Sequence, residues 1–512
     1  MSRGKALRGI GCLGVLGFAA VLRYIGYTQS PGWYSDEGTW VWLARHPTHY
    51  LGIAHAWLLA ARMPLFAKIL RLLFPRPTIA HARVLSQGLA LLQIGLTGYL
   101  AYRLTRAWHV VCGAMLVYAL YPYFLLYHRL SLGYHLEAVL VLLLALALLR
   151  YVEHPTTRQA ALVGLSLSAT LSSELAAVAF IPGVLWLMLT ARGRRGWHAL
   201  LTLSLAWLLP AALLAHAYAG AWGWLYDDLR AFLDRTAVPL SMQIALLVLN
   251  FNIPWWREPL WPWLWIGVFA GLPRHAQRFM LLFWGLAWFI LARTVAVWGL
   301  GLYYNIPYFP FWAIGVAALL PRAWPSLKAT LQHMWTMILP TCCHRERILR
   351  LVVGLTLGLV VIPTSVLVGH TLSILGLPSP IGPYEPLERL PTVAPEDGQA
   401  AQRYLNTHTT PTDLVIASPS LAWGLTARVT DFQIPLAVRG ATTRHWPRGI
   451  PQERLVYPLD PRRARYVVID PVWDWGSHAM PAVAQWRAEI EATWPLERRF
   501  GAVRIYRNPR AP

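Results

Sequence analysis

Runs of eighteen or more mainly apolar residues recur along this chain from Leu7 to His370, separated by short polar or basic stretches. A helix rises 1.5 Å per residue, so such a run is long enough to cross a hydrocarbon core of about 30 Å. The pattern predicts about eleven spanning helices, at 8–28, 79–102, 109–127, 133–151, 159–173, 175–191, 197–219, 258–273, 279–298, 305–320 and 351–372. Residues 29–78 break the pattern. Their apolar stretch 54–74 carries Arg62, Lys68 and Arg71, and Pro64 is expected to interrupt its helix. Lys68 and Arg71 are three apart and share a helical face. A helix of this kind would lie in the membrane interface, apolar side in lipid and basic side toward headgroups.

Beyond about residue 373 the periodicity changes again. Prolines cluster in 373–394, and then a soluble-looking alternation begins. It predicts a polar helix over 396–408, strands over 414–418 and 465–470, a helix over 481–493 and a last strand over 502–506. The expected domains are a membrane region 1–372, a proline-rich linker 373–394 and a small α/β domain 395–512.

Composition agrees with a membrane protein: 56% of the 512 residues are hydrophobic and 13% charged, against about 25% charged in soluble domains. The formal net charge of +22 raises nucleic-acid binding as an alternative. The basic residues lie instead between apolar runs, in "RLTR" (103–106), "RYVEHPTTR" (150–158), "RGRR" (192–195), "RHAQR" (274–278) and 321–350, which holds Arg322, Lys328, Arg345, Arg347 and Arg350. With Arg3, Lys5 and Arg8 they fall on one side under the positive-inside rule, which places the N-terminus in the cytoplasm and both 29–78 and the tail outside. No nucleic-acid partner is therefore expected. The 27 tryptophans suit interfacial anchoring. Four cysteines give no disulfide framework, and Cys342-Cys343 alone is a weak metal signal. The N-terminal basic residues and apolar run read as a retained first helix rather than a cleaved leader.

The candidate chemistry sits in the first loop, at "GWYSDEGTWVWLARH" (32–46), where Asp36 and Glu37 face outward. A bland reading is that acids favour the first turn of a helix. Beside a basic, membrane-embedded surface they also suit transfer of a sugar from a lipid-linked phosphate. Cations would hold the leaving phosphate, and a carboxylate would take the proton of the attacking hydroxyl. Glu174 falls in an apolar stretch, where a carboxylate is a functional candidate, and is placed at an outer turn. "YDDLRAFLDR" (226–235) offers Asp227-Asp228 to a divalent ion, but alternating acid and arginine reads more plainly as a solvated helix. "DPVWDWG" (470–476) fits either a sugar platform or packing tryptophans.

The order of these motifs resembles the GT-C superfamily of polyprenyl-phosphate-dependent glycosyltransferases, in particular its protein mannosyltransferase and aminoarabinose transferase branch (family 39-like). The matching residues are Asp36-Glu37, Trp40, Arg45, Met63-Pro64-Leu65, "HARVLS" with Arg83 and Ser86, Arg129 in "LYHRLSLGYHLE", and "YYNIPYFPFWAIG" with Tyr304, Pro307 and Pro310. The resemblance covers roughly 1–370. It implies a mainly α, polytopic GT-C fold in the plasma (inner) membrane, with a small extracytoplasmic α/β C-terminal domain. It implies inverting transfer of a hexose or pentose, with Asp36 as general base supported by Glu37. Donor phosphate would be held by Arg45, Arg62, Lys68, Arg71, Arg83 and Arg129. Sugar or acceptor would touch Trp40, His128, Glu137, Tyr303 and Tyr304. The implied partners are the bilayer, a polyprenyl-phosphate sugar and a glycan, lipid or protein acceptor, with no cofactor and no assigned metal site. The chain departs from the family pattern at Tyr134, where an acid is usual and Glu137 is the substitute, and at 172–174, where "SSE" stands in place of a lysine. A transporter or flippase of lipid-linked glycans and a non-catalytic scaffold are the competing classes. The sequence shows neither the internal symmetry nor a midplane ion site that a transporter favours, and a scaffold would not require acids in the first loop.

Overall fold

The computed structural model describes residues 3–60, 62–191, 195–236, 239–251, 267, 270–292, 299–338 and 365–511. Helix α1 (Arg3–Tyr24) leads into the first loop, which holds β1 (Trp33–Tyr34), α2 (Ser35–Arg45), the hairpin β2 (His49–Tyr50) and β3 (Ile53–Ala54), and α3 (Leu65–Leu73). The bundle continues with α4 (Ile79–Thr105), α5 (Trp108–Leu120), α6 (Pro122–His128), α7 (Tyr134–Glu153) and α8 (Thr157–Ser173). A 3₁₀ turn (Leu175–Phe180) then precedes α9 (Ile181–Thr190), α10 (Gly196–Ala206), α11 (Leu208–Ala217), α12 (Trp222–Thr236) and α13 (Leu240–Phe251). Among the described residues four helices are long and apolar enough to cross a membrane: Ile79–Thr105, Tyr134–Glu153, Gly196–Ala217 and Arg274–Ala292. The pair α5 and α6, bent by 64°, makes a fifth. Exposed Leu13, Leu165 and Leu200 give the bundle an apolar outer surface, as lipid requires.

Several expected features lie wholly or largely outside the described residues: the span 258–273, most of 351–372, Arg293, Cys342-Cys343, Arg345, Arg347 and Arg350. Pro64 precedes α3, as its missing N–H and fixed φ favour. Helix α3 is shorter than the 54–74 stretch. It buries Phe66, Ala67 and Leu70 and leaves Leu72 and Leu73 exposed.

The C-terminal α/β unit is built on a five-stranded sheet, ordered β6-β5-β7-β9-β8. Its strands are β5 (Leu414–Ile416), β6 (Arg428–Thr430), β7 (Ala464–Ile469), β8 (Leu496–Phe500) and β9 (Val503–Arg507). Strand β5 runs parallel to β6 and β7, and β9 is antiparallel to β7 and β8. Helices Pro395–His408 and Pro481–Thr493 flank it where the periodicity placed them. Strands β6 and β8 and helix Pro471–Ala479 are additional.

The first loop does not stand apart from this unit. Strand β1 pairs with β4 (Thr392–Val393), and one continuous core holds Trp40, Trp42 and Phe66 of the loop together with Ile416, Val467 and Trp473 of the sheet. Gly38 sits on Pro419 so closely that a Cβ there would lie 1.8 Å from the Pro419 carbonyl oxygen. The C-terminal unit is thereby fixed against the helix that carries Asp36 and Glu37.

Candidate active site

Local sequence fixes α2 at its start. Glu37, in the first turn, accepts the Tyr34 backbone N–H at 3.1 Å through Oε2, which satisfies an otherwise unpaired donor. It also accepts Arg83 Nε and Nη2, each at 2.7 Å, and the Ser131 N–H at 2.7 Å. Arg83 also donates to the carbonyls of Tyr27 and Gly32. Glu37 is fully buried. The pair therefore ties the first loop to α4 and to the turn before α7. Glu37 is thus held inside the fold, and Arg83 uses four of its five donors within the protein.

Asp36 points the other way. Its carboxylate remains 21% exposed and lies 2.7 Å from Arg62 Nη2. Arg62 stacks over Trp40 at 5.3 Å, and Trp40 packs edge-on to Phe66. The Trp40 ring also fills the space at Gly133, where a Cβ would come within 2.3 Å of it. Burial alone would lower the Arg62 guanidinium, but Asp36, Tyr134, Glu174 and Tyr303 together outweigh it and hold the group well above its ordinary value. Glu174, between α8 and the 3₁₀ turn, acts electrostatically on both Arg62 and Asp36.

Four tyrosines close around this charge cluster. Tyr303 lies 6.4 Å from Tyr34, 5.4 Å from Tyr134 and 4.6 Å from Tyr304, centroid to centroid, and Tyr134 meets Tyr304 edge-on at 5.2 Å. Burial pushes the Tyr34 and Tyr303 hydroxyls up, and the charge of Asp36 pushes both further.

The other expected residues are distributed differently. Arg129 is fully buried and caps the end of α1, donating to the carbonyls of Leu22, Arg23 and Ser30. His128 is buried with Nδ1 2.6 Å from Arg23 Nη2. Arg45 donates to the Pro77 carbonyl at 2.7 Å and the Trp423 carbonyl at 2.6 Å. Trp40 is fully buried and supports Arg62. All four contribute to the packing that holds loop, bundle and C-terminal unit together. Lys68 and Arg71 lie on α3, half-buried and exposed respectively. Glu137, one turn into α7, is buried beside Glu174. Tyr303 and Tyr304 do join the cluster. Tyr34 and Glu174 complete it without having been counted among the expected site residues. Glu174 was visible as a carboxylate in an apolar stretch, whereas nothing local marks Tyr34.

Beside the cluster opens an apolar groove of about 370 Å³, lined by Met63, Leu171, Leu175, Pro210, Leu214 and Trp222, among others. Two of its lining residues, Met63 and Leu175, are next in the chain to Arg62 and Glu174. Asp228 is not a metal ligand on a solvated helix: it accepts both Arg454 and the Tyr218 hydroxyl. Among the described residues no three of His, Cys, Asp and Glu are grouped to hold a metal ion.

No family model matches the sequence, and no curated protein matches it. Solved structures do. ArnT from Cupriavidus metallidurans, bound to undecaprenyl phosphate, shares 14% identity over the whole of both chains with a TM-score of 0.54, and its apo form gives 0.55. The archaeal oligosaccharyltransferase AglB from Archaeoglobus fulgidus, in complex with an inhibitory peptide and a dolichol-phosphate, is 11% identical over 95% of this chain and 73% of that one, with a TM-score of 0.54. At such identities the likeness is one of fold. The chain shares the fold of these structures, an apolar helical bundle followed by a C-terminal domain.

Proposed function

We propose that this GT-C-fold protein moves a hexose or pentose from a polyprenyl-phosphate donor to an acceptor hydroxyl on the extracytoplasmic face. The observation that carries the reading is the Asp36–Arg62 pair at the head of the apolar groove. An isoprenoid tail lying along Met63, Leu171 and Leu175 would bring its phosphate to Arg62. A guanidinium has five donors in a planar fork, enough to serve the phosphate while keeping Asp36 in place. The solved neighbours bound to undecaprenyl phosphate and dolichol-phosphate support a donor of this class.

In the step itself, the acceptor oxygen attacks the anomeric carbon and Asp36 takes its proton. The bond from that carbon to the phosphate oxygen breaks, and its electron pair leaves with the phosphate, where Arg62 stabilises the growing charge. Attack opposite the leaving group inverts the anomeric centre. Tyr303 and Tyr304 offer ring faces to the sugar. Residues 1–372 form the catalytic membrane domain in this reading, 373–394 a linker, and 395–512 a domain that covers the site from outside. The arginine-rich connections keep the N-terminus cytoplasmic in the plasma (inner) membrane. The acceptor is a glycan, a lipid or a protein.

The test is purified, detergent-solubilised protein supplied with a panel of undecaprenyl-phosphate sugars and scored by mass for transfer or hydrolysis. Turnover by the wild type, lost in Asp36→Asn with donor binding retained and lost together with donor binding in Arg62→Ala, is the expected result. Full turnover in Asp36→Asn would remove Asp36 as the base.

A further inference from the structure

Two buried carboxylates at this site have no partner that explains them. Glu174 is 4% exposed and Glu137 is 2% exposed. Glu174 Oε1 and Glu137 Oε2 each lack a hydrogen-bond partner among the described residues. A buried acceptor left unpaired costs more than a hydrogen bond returns, so such atoms need an explanation. The two side chains come from neighbouring helices, Glu174 from the end of α8 and Glu137 from the first turn of α7. They act on each other as like charges, and Glu174 also acts on Arg62 and Asp36. Glu137 lies three residues after Tyr134, on the helix face that meets Tyr303 and Tyr304. The two acids therefore belong to the same cluster as Arg62 and the tyrosine rings.

We propose that Glu174 and Glu137 form the wall that holds the transferred sugar by its hydroxyl groups. The proposal rests on the glycosyl-transfer reading and deepens it. A carboxyl group accepts from a sugar hydroxyl and, when protonated, also donates to one, so each acid can satisfy one or two hydroxyls while a tyrosine ring covers an apolar ring face. A donor whose phosphate is fixed at Arg62 would carry its sugar past these acids on the way to Asp36. In the absence of donor the oxygens stand unpaired, and sugar binding satisfies them. Discrimination among sugars then follows from which hydroxyls reach the two carboxylates, because a site built for a hydroxyl is left with an unpaired acceptor when it is missing.

The experiment compares binding of undecaprenyl phosphate with binding of undecaprenyl-phosphate-linked glucose, mannose and arabinose, to wild type, Glu174→Gln and Glu137→Gln, in detergent. The wild type is expected to bind at least one sugar-bearing lipid more tightly than the bare one. Each variant is expected to lose that increment, by about tenfold, while binding bare undecaprenyl phosphate as the wild type does, which also reports that the variant has folded. Equal weakening for bare and sugar-bearing lipids, or none, overturns the proposal. So does a wild type that binds all four lipids equally, although the donor reading would then survive. Failure of the wild type to bind any of the lipids overturns the donor reading itself.

Discussion

Arg83 grips Glu37 with two parallel hydrogen bonds of 2.7 Å, and neither side chain is more than 1% open to solvent. The adjacent carboxylate, Asp36, shares a peptide bond with Glu37 but not its environment. One acid of the pair builds the loop, and the other stays partly open to solvent beside Arg62.

Removing one partner of a buried ion pair strands the other charge, at a cost of about 3–5 kcal/mol. Glu37→Ala and Arg83→Ala are each expected to lower stability by that order, and Arg83→Lys to rescue little, since an ammonium cannot reproduce the fork. Asp36→Asn, on a partly exposed side chain, is expected to unfold near the wild-type temperature. Thermal unfolding in detergent, followed by tryptophan fluorescence, checks all four. A stable Arg83→Ala protein that had lost only donor binding would return Arg83 to the phosphate site.

A second buried pair, Asp228 with Arg454, joins α12 to the loop after β3 and to the C-terminal unit. Arg454 Nη2 lies 3.0 Å from Asp228 Oδ2 and 3.2 Å from the Ala54 carbonyl, and the guanidinium stacks over Trp224 at 5.3 Å. Arg454→Ala is expected to cost about 3 kcal/mol or more and to expose α12 to limited proteolysis. Replacing both residues, as Asp228→Leu with Arg454→Met, is expected to recover part of that loss. Unchanged protease resistance in Arg454→Ala would show that the helix is held by its apolar contacts alone.

These pairs mark where the sequence could be read and where it could not. The helical bundle and the strands β5, β7 and β9 were legible because apolar periodicity is a local signal. The resemblance singled out Asp36 and Tyr304, and the structure places both near Arg62, Tyr34 and Tyr303. The roles of Glu37, Arg83, Arg129 and Asp228 were not legible, because a charged side chain looks the same in sequence whether it meets a ligand or a partner. Glu37 finds Arg83 46 residues away, and Asp228 finds Arg454 226 residues away. The exposed Asp227, next in the chain to buried Asp228, shows how far one residue of helical rotation decides the matter. In a membrane protein, backbone carbonyls at broken helix ends also need donors, and Arg129 supplies them at the end of α1.

The C-terminal unit carries a pH dependence of its own. Burial pushes the Asp431 carboxyl up to about 7, against one backbone hydrogen bond from Gln433, and Asp470 adds to the rise. Burial pushes Asp470 up to about 6 despite its hydrogen bonds from Ser418 and Val472. A carboxyl whose folded value exceeds its unfolded value near 3.8 binds more protons in the folded state across the interval, so stability falls as pH rises from about 4 to about 7. His46 works the other way. Burial and the neighbouring His49 and Arg45 lower it to about 4, so below its unfolded value near 6.5 the folded protein is penalised as pH falls. The absolute pH profile mixes the two, and the comparison with Asp431→Asn separates them. Wild type and variant are expected to converge in unfolding temperature near pH 4. From there to pH 8 the variant is expected to gain progressively on the wild type, most steeply below pH 7. A constant offset between the two curves at every pH would mean that Asp431 keeps the same charge in the folded and unfolded states.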